Sequence, residues 1–345
     1  MRNRGKMLLA AVLVLAIVAL VAGRWAWKEL VGPGTGFKEN SRVLLIPTGA
    51  GFETVVDSLK TLRAIDDERG FRWLSDRKNY TMRVKAGRYR IPQSMSMNAL
   101  VNMLRAGEQE PVKLTFSNIR NLHELAGRAA RALEPDSLAF LKVFVDRSLQ
   151  QEVGMGQETF ISLFVPNTYE FWWTSTPEQF VARMRKEHDA FWTSERKDLA
   201  RARGLSEEEI ATLASIVQAE TMRMADAPRI AGVYLNRLRE GMPLQADPTL
   251  KFALGMDSLN RVLEKDKGVD SPYNTYRNRG LPPGPINMPE PRFIDAVLKA
   301  EEHDYLYFCA RADLSGYSDF TRTYEQHLVN ARRYQRALNE RKIFR

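Results

Sequence analysis

Cysteine and histidine are both scarce in this sequence. Its single cysteine, Cys309, excludes an intramolecular disulfide framework and any cysteine-rich zinc or iron–sulfur site. The four histidines show neither HxxxH nor HxxH spacing. Because protein metal sites are built from such clusters, the sequence predicts no metal site.

A concentrated positive charge is missing from most of the chain. The net charge is +9, but five of these charges lie in residues 1–28, which contain no acid, and four are spread over the remaining residues. Surfaces that bind nucleic acids concentrate Lys and Arg, so we expect no nucleic-acid partner. The composition, with 44% hydrophobic and 27% charged residues, is that of a globular protein. The length of 345 residues suggests about two domains.

The one long hydrophobic run lies near the N-terminus. Residues 7–23 carry no charge and follow three basic residues. A helix of this length spans about 25 Å, the lower end of what a bilayer requires. Basic flanks face the cytoplasm, so residues 1–28 are predicted to be a cytoplasmic stub and transmembrane anchor in the cytoplasmic (inner) membrane. The alternative is a signal peptide cleaved after the small residues 21–23.

Changes of pattern divide the rest of the chain into three parts. Residues 29–40 contain a Gly- and Pro-rich linker. Residues 41–110 alternate short β-rich runs with helical runs, which predicts a small βα subdomain. Residues 111–345 show long helical stretches followed by a strand-rich patch around 305–324, which predicts a larger mixed domain. The expected fold class is therefore α+β.

One acidic residue stands where the pattern predicts an apolar one. Ser206–Glu209 form a capping box, and the apolar stripe behind it has helical spacing: Ile210, Leu213, Ala214 and Val217. Continuing this stripe leads to Glu220. Burial there would disfavour the charged carboxylate and raise its pKa, as in an acid catalyst. A buried ion pair with Arg223 or Arg229, or a helix end that reaches solvent, would explain the same pattern.

Aromatic and amide side chains on a Pro/Gly-rich segment form a second candidate group. Tyr273, Asn274 and Tyr276 precede the sequence GLPPGPI at 280–286, whose prolines restrict the backbone. Aromatic faces and amides suit a sugar ligand. An ordinary rigid surface turn is the alternative.

Five motifs occur in order in the C-terminal half: ASIVQAET (214–221), NRL (236–238), LQADPT (244–249), YNTY (273–276) and GLPPGPI (280–286). Together they resemble the membrane-anchored endolytic peptidoglycan transglycosylases (MltG-type, YceG-like). KAGRY (85–89) is similar to the LysM-like subdomain of that family, VPNTY (165–169) to its mid-chain motif, and His327 to its C-terminal histidine. Gln218 stands where many members have an acid, which leaves Glu220 as the only acid inside its motif.

The resemblance implies a reaction. Residues 41–110 would be the LysM-like subdomain, and residues 111–345 an extracytoplasmic, periplasmic transglycosylase domain. Glu220 would protonate the bond between N-acetylmuramic acid and N-acetylglucosamine and then activate the muramoyl 6-hydroxyl. The products would be 1,6-anhydro ends that terminate nascent glycan strands, formed without cofactor. Residues that would bind glycan or orient Glu220 are Gln245, Asp247, Asn274 and Tyr276.

The implied partners are peptidoglycan strands, the inner membrane through the N-terminal helix, and peptidoglycan synthases. Two other functions stay open. A membrane-anchored scaffold of the division machinery could bind glycan without catalysis. A muramidase could use water, with Asp247 as the second carboxylate that hydrolytic glycosidases require. An Asp-Pro turn is the structural alternative for Asp247.

Overall fold

The computed structural model describes residues 2–30, 37–255 and 263–341. The chain divides into two compact units. The first comprises Met1–Lys113, Ala132–Glu134 and Glu170–Thr176, and the second comprises Leu114–Arg131, Pro135–Tyr169 and Pro177–Arg345. In the described residues, helices are combined with three two-stranded sheets, which confirms the α+β class.

Helix α1 extends over Arg2–Leu30. Nowhere in the described chain is a helix both long and apolar enough to cross a membrane. This finding contradicts the predicted transmembrane anchor and single-pass location in the cytoplasmic membrane. Residues 31–36 of the predicted linker lie outside the described residues.

The first unit has a core of its own. Besides α1, the first unit contains β1 (Ser41–Ile46), α2 (Phe52–Thr61), α3 (Glu68–Arg77), β2 (Gly87–Pro92) and α4 (Met97–Ala106). Strands β1 and β2 pair antiparallel with Leu44 opposite Tyr89, and both side chains are fully buried. Helix α4 ends at Gly107, whose φ of 75° favours glycine. The sequence predicts strands at 43–47 and 86–91 and a helix at 97–105, and β1, β2 and α4 confirm them.

From Val112 onward helices predominate. The elements are β3 (Val112–Phe116), α5 (Leu122–Ala130), α6 (Ser137–Phe144), α7 (Arg147–Glu152), β4 (Asn167–Phe171), α8 (Pro177–Phe191), α9 (Ser194–Ala202), α10 (Glu207–Glu220), α11 (Ala227–Arg239), α12 (Asp247–Ala253), α13 (Pro291–Leu298), β5 (Tyr307–Ala310), β6 (Ser318–Thr321) and α14 (Tyr324–Glu340). Strand β3 pairs with β4. Strand β5 pairs antiparallel with β6, which confirms the strand-rich patch.

The core of the second unit lies around α10, α11 and α13. Ile216, Ile230 and Val297, one from each helix, belong to one cluster of buried hydrophobic residues. The hairpin of β5 and β6 is held beside α11, because the Ser318 N–H donates to Asp226 Oδ2 at 2.7 Å, immediately before that helix begins. This arrangement brings the end of α10 next to the hairpin.

Candidate active site

Helix α10 carries the candidate acid at its last residue. The Ser206 hydroxyl accepts a hydrogen bond from the Glu209 N–H, and the Glu209 carboxylate accepts one from the Ser206 N–H, which confirms the capping box. Every residue from Ile210 to Val217 is buried, although the stripe predicted only one buried face. Small residues on the other faces let neighbouring segments pack all round the helix. It ends at Glu220, because Thr221 has extended backbone.

The Glu220 carboxyl has a tyrosine partner. Tyr234, which is buried, donates its hydroxyl to Glu220 Oε1 at 2.7 Å. Burial raises the pKa of Glu220 to about 7, the Tyr234 hydrogen bond opposes this, and the Asp247 charge adds to it. At neutral pH both protonation states are therefore populated, which suits a group that donates a proton and then accepts one.

The ion-pair explanation of the Glu220 pattern does not hold. Arg223 Nη2 donates to the Ser315 carbonyl at 2.6 Å. Arg229 Nε lies 2.9 Å from Glu301 Oε2. Glu220 is half-buried, so the helix end does reach the surface in part.

The sequence also predicts a helix over 227–239, because Pro228 suits a first helical turn and Gly241 a helix stop, and α11 matches this range. Asn236, from the NRL motif, donates through Nδ2 to the carbonyls of His303 at 2.7 Å and Tyr305 at 3.0 Å. This amide therefore holds the chain that leads into β5.

Arg237 of the same motif joins two segments beside Glu220. Its Nε donates to the Leu306 carbonyl at 2.7 Å, and its Nη1 donates to the Leu244 carbonyl at 2.6 Å. Its guanidinium also lies 5.2 Å from the centre of the Tyr307 ring. Arg237 thus holds both the start of β5 and the segment before α12 in place.

A cavity of about 300 Å³ opens at Glu220. Its lining includes Gln245, Asp247, Tyr276, Tyr307, Tyr324 and His327. Aromatic rings and polar groups thus surround the carboxyl on this side, as sugar sites require.

Gln245, Asp247 and Tyr276 form one part of this cavity. Gln245 has a φ of 50°, a left-handed conformation that is uncommon for a residue other than glycine. Its N–H donates to the Thr275 carbonyl at 3.0 Å, which holds the two motifs together. Tyr276 donates its hydroxyl to Asp247 Oδ1. The structure therefore brings these three predicted residues together at Glu220.

A second cavity of about 840 Å³ opens on the hairpin side of the same carboxyl. Glu220 and Phe308 line both cavities. The second one is also lined by Met222, Arg223 and Cys309. Glu220 therefore lies between two adjoining cavities.

Asn274 and Tyr273 do not line either cavity. Asn274 is fully buried, and its Nδ2 donates to the carbonyls of Lys267 at 2.9 Å and Val269 at 2.8 Å. Its Oδ1 accepts from the Tyr276 N–H at 3.0 Å. Tyr273 packs on Phe252, with ring centres 4.6 Å apart. Both residues shape the loop that presents Tyr276.

The segment 280–286 packs against α10. The Ile286 N–H donates to Ser215 Oγ at 3.0 Å, and a few residues later the Glu290 N–H donates to Gln218 Oε1 at 2.7 Å. A Cβ on Gly284 would lie 2.1 Å from the Glu158 carbonyl oxygen, so only glycine fits there. This segment therefore supports α10, and the hydrogen bond to Gln218 is one of the contacts that attach the segment to the helix.

Sequence reasoning missed several residues of the site. Tyr234 carried no motif signal, although a tyrosine on the buried side of a helix needs a partner for its hydroxyl. Tyr307, Phe308 and Tyr324, which also line the cavity, carry no motif signal either. His327, found through resemblance alone, stacks on the Tyr307 ring at 5.6 Å. Burial, followed by the Arg237 charge, lowers the pKa of His327, so it is neutral at neutral pH.

Among the described residues, no group of three or more His, Cys, Asp or Glu side chains is placed to hold a metal ion. The chemistry that the Glu220 carboxyl can perform is proton transfer.

Curated relatives cover most of the chain. A protein of Bacillus subtilis (strain 168) named endolytic murein transglycosylase is 28% identical over 335 residues, covering 91% of this chain and 90% of that protein. A protein of the same name from Streptococcus pneumoniae serotype 2 is 29% identical and covers 77% of this chain. The chain spans about half, 53%, of the length of that relative.

Among solved structures, a crystal structure of a yceG-like protein from Listeria monocytogenes is 28% identical and has a TM-score of 0.57. The match covers 85% of this chain and 99% of the Listeria chain. The model of the YceG-like family matches residues 44–333. That match includes all five motifs around Glu220, and the chain belongs to the YceG-like family.

Proposed function

We propose that this protein is an endolytic murein transglycosylase, the activity for which its curated relatives are named. The observation that carries the proposal is Glu220, whose carboxyl lies between two adjoining cavities with a pKa raised to about 7. The substrate is the glycan strand of peptidoglycan, cleaved between N-acetylmuramic acid and N-acetylglucosamine.

Glu220 performs both proton transfers. As an acid it protonates the glycosidic oxygen, the bond from that oxygen to the muramoyl C1 breaks, and the N-acetylglucosamine 4-hydroxyl leaves. The resulting carboxylate removes the proton of the muramoyl 6-hydroxyl, whose oxygen bonds to C1. The product has a 1,6-anhydro ring, Glu220 is protonated again, and no water is consumed.

The neighbouring residues orient the acid and the strand. Tyr234 is a positioning residue, because its hydroxyl holds one carboxyl oxygen and leaves the other for the substrate. Gln245, Asp247 and Tyr276 line the cavity and bind glycan hydroxyl or acetamido groups. Asn274 and Tyr273 act through the position of Tyr276 and its loop.

Cleavage inside a strand requires sugar-binding space on both sides of the acid. The cavities of about 300 Å³ and about 840 Å³ support such a binding mode, since both border Glu220 and, apart from Glu220 and Phe308, are lined by different residues. An enzyme that removed only terminal sugars would need a site closed at one end. The geometry therefore favours endolytic cleavage, which would terminate elongating strands.

We also propose that residues 41–110 form a LysM-like subdomain and that residues 111–345 form the catalytic domain. Support for the first part comes from the antiparallel pair of β1 and β2, which closes a core drawn entirely from Phe37–Leu104. Peptidoglycan synthases, which supply nascent strands, are the proposed protein partners.

A second candidate reaction is hydrolysis by a muramidase. The observation that favours it is Asp247, because this carboxylate lines the same cavity as Glu220. A hydrolytic glycosidase uses such a second carboxylate to activate water or to attack the sugar. In the structure Asp247 accepts a hydrogen bond from Tyr276.

One digest separates these functions. Uncrosslinked glycan strands are incubated with the full chain, and the ends are identified by mass spectrometry. We expect 1,6-anhydro ends, which are lighter than reducing ends by one water. Reducing ends would identify a muramidase, and the absence of cleavage would identify a binding scaffold. Glu220→Gln protein is the control for contaminating enzymes.

A further inference from the structure

A third cavity, of about 260 Å³, lies beside the last turn of α10. Gln218 and Ala219, the two residues before Glu220, line it. So do Pro248 and Lys251 of α12, the helix that begins at Asp247. The cavity therefore borders two elements that carry site residues, although it takes no part in the proton transfers described above.

The charges that line this cavity are positive. Arg120 and Lys251 belong to its lining, and none of its described lining residues is an acid. Within the described part of the chain, the Lys251 ammonium has no ion-pair partner, whereas Arg120 does take part in a contact inside the protein. The Lys251 charge also acts on Glu220, whose pKa it lowers, after the larger effects of burial, Tyr234, Asp247 and Arg237. Lys251 lines the same cavity as Ala219, the residue immediately before Glu220, so one substrate molecule can reach both the ammonium and the acid.

The remaining lining provides polar and apolar contacts. Asn287 donates through Nδ2 to the Ser215 carbonyl at 3.0 Å, while its Oδ1 has no hydrogen-bond partner among the described residues. Phe252 and Ile286 add apolar surface. A lining with two cations, no acid among its described residues and an apolar surface is complementary to an acidic peptide.

We propose that this cavity is a subsite for the acidic stem peptide that a muramoyl residue of the strand carries. Lys251 binds a peptide carboxylate, Arg120 adds positive charge to the same cavity, and Phe252 and Ile286 contact the apolar part of the peptide. The inference rests on the proposed function and deepens it, because it makes the enzyme selective for strands that retain their peptides.

The test compares binding of two strands to inactive protein. Glycan strands that carry stem peptides, and the same strands stripped by an amidase, are titrated into Glu220→Gln protein by calorimetry. Stripped strands keep a carboxylate on the lactyl group, so they separate that source of negative charge from the peptide. Lys251→Gln and Lys251→Arg are each added to the Glu220→Gln background. Lys299→Gln, at an exposed lysine after α13, is the matched control.

We expect Lys251→Gln to weaken binding of peptide-bearing strands about five- to tenfold, as loss of one charge-assisted hydrogen bond does. Lys251→Arg should restore most of the affinity, and stripped strands should bind all variants alike. Equal weakening for both strands, or none for either, would overturn the subsite. Failure of the wild-type chain to cleave any strand would instead overturn the proposed function, and this inference with it.

Discussion

At Glu220, burial and hydrogen bonding act on the carboxyl in opposite directions. Burial raises the pKa to about 7, while the Tyr234 hydroxyl stabilises the charged form and lowers it. The balance places the pKa near neutrality, where a single group can serve as acid and then as base. Substitution of Glu220 removes the titrating carboxyl itself, and substitution of Tyr234 removes only its hydrogen bond.

Replacing Glu220 by Gln removes the transferable proton and keeps the shape. Strand cleavage should fall by about 10²–10⁴-fold, the usual contribution of general acid–base catalysis, as measured by release of anhydro ends. If the release of anhydro ends were unchanged, Glu220 would have a structural role and no role in catalysis.

The same substitution should alter stability in a pH-dependent way. Since the folded-state pKa of Glu220 is raised from 4.5 to about 7, ionising it costs folding free energy. Below pH ~4.5 the wild type loses no stability in this way. Above pH ~7 the loss in the free energy of unfolding is complete and approaches about 3 kcal/mol. Glu220→Gln should therefore raise the melting temperature more at pH 8 than at pH 5. A larger gain at pH 5 would contradict the raised pKa.

The substitution Tyr234→Phe should shift the pH dependence of kcat/KM for strand cleavage. Without the hydroxyl the Glu220 carboxylate loses its hydrogen bond, so its pKa rises further. The alkaline limb of kcat/KM, set by loss of the Glu220 proton, should shift upward by about one pH unit. Tyr305→Phe, whose ring packs 5.9 Å from Phe320, is the control and should leave the limb in place. A downward shift would show that Tyr234 does not stabilise the carboxylate.

Among the elements, α10 depends on the segment that covers it. Its residues Ile210–Val217 are buried on every face, and the segment 280–290 attaches to Ser215 and Gln218. Gly284 lets this segment approach the Glu158 carbonyl. The proline-rich motif therefore contributes to activity through the position of α10.

Gly284→Ala tests this support. The added Cβ would lie 2.1 Å from a backbone oxygen, so the segment must shift. We expect a loss of about 1–3 kcal/mol in the free energy of unfolding, measured with urea. Gly268→Ala is the matched control, because a Cβ there meets nothing within 4 Å. Equal stability of the two variants would mean that the close approach has no energetic consequence.

For the molecule as a whole, the separate core of the first unit is the main feature. All buried residues of that core lie between Phe37 and Leu104. Residues of the Glu220 site lie in the second unit. Folding of the first core should therefore not require the catalytic residues.

Residues 37–113 expressed alone should unfold cooperatively on heating, as followed by circular dichroism. Phe71→Ala, which empties a fully buried position, should abolish or strongly lower the transition, since such a change costs about 3–5 kcal/mol. A segment without a cooperative transition would show that its core needs the rest of the chain.

Local patterns were sufficient to predict several elements. The capping box at Ser206 and the bounds of α11 follow from residues close in sequence, because caps and helix spacing act over one or two turns. The N-terminal hydrophobic run also suggested a membrane span by local pattern, and there the described structure contradicts the prediction. The burial of α10 on every face could not be read from its stripe, since it depends on which segments surround the helix.

The sequence by itself determined the α+β class, α11 and the unusual position of Glu220 at the end of an apolar stripe. Only the tertiary structure decided that Tyr234 is the partner of Glu220, that Asp247 shares its cavity, and that Asn274 is buried inside its loop. The physical reason is distance along the chain. Helix periodicity relates residues a few positions apart, whereas these contacts depend on how α10, α11 and the loops pack in space.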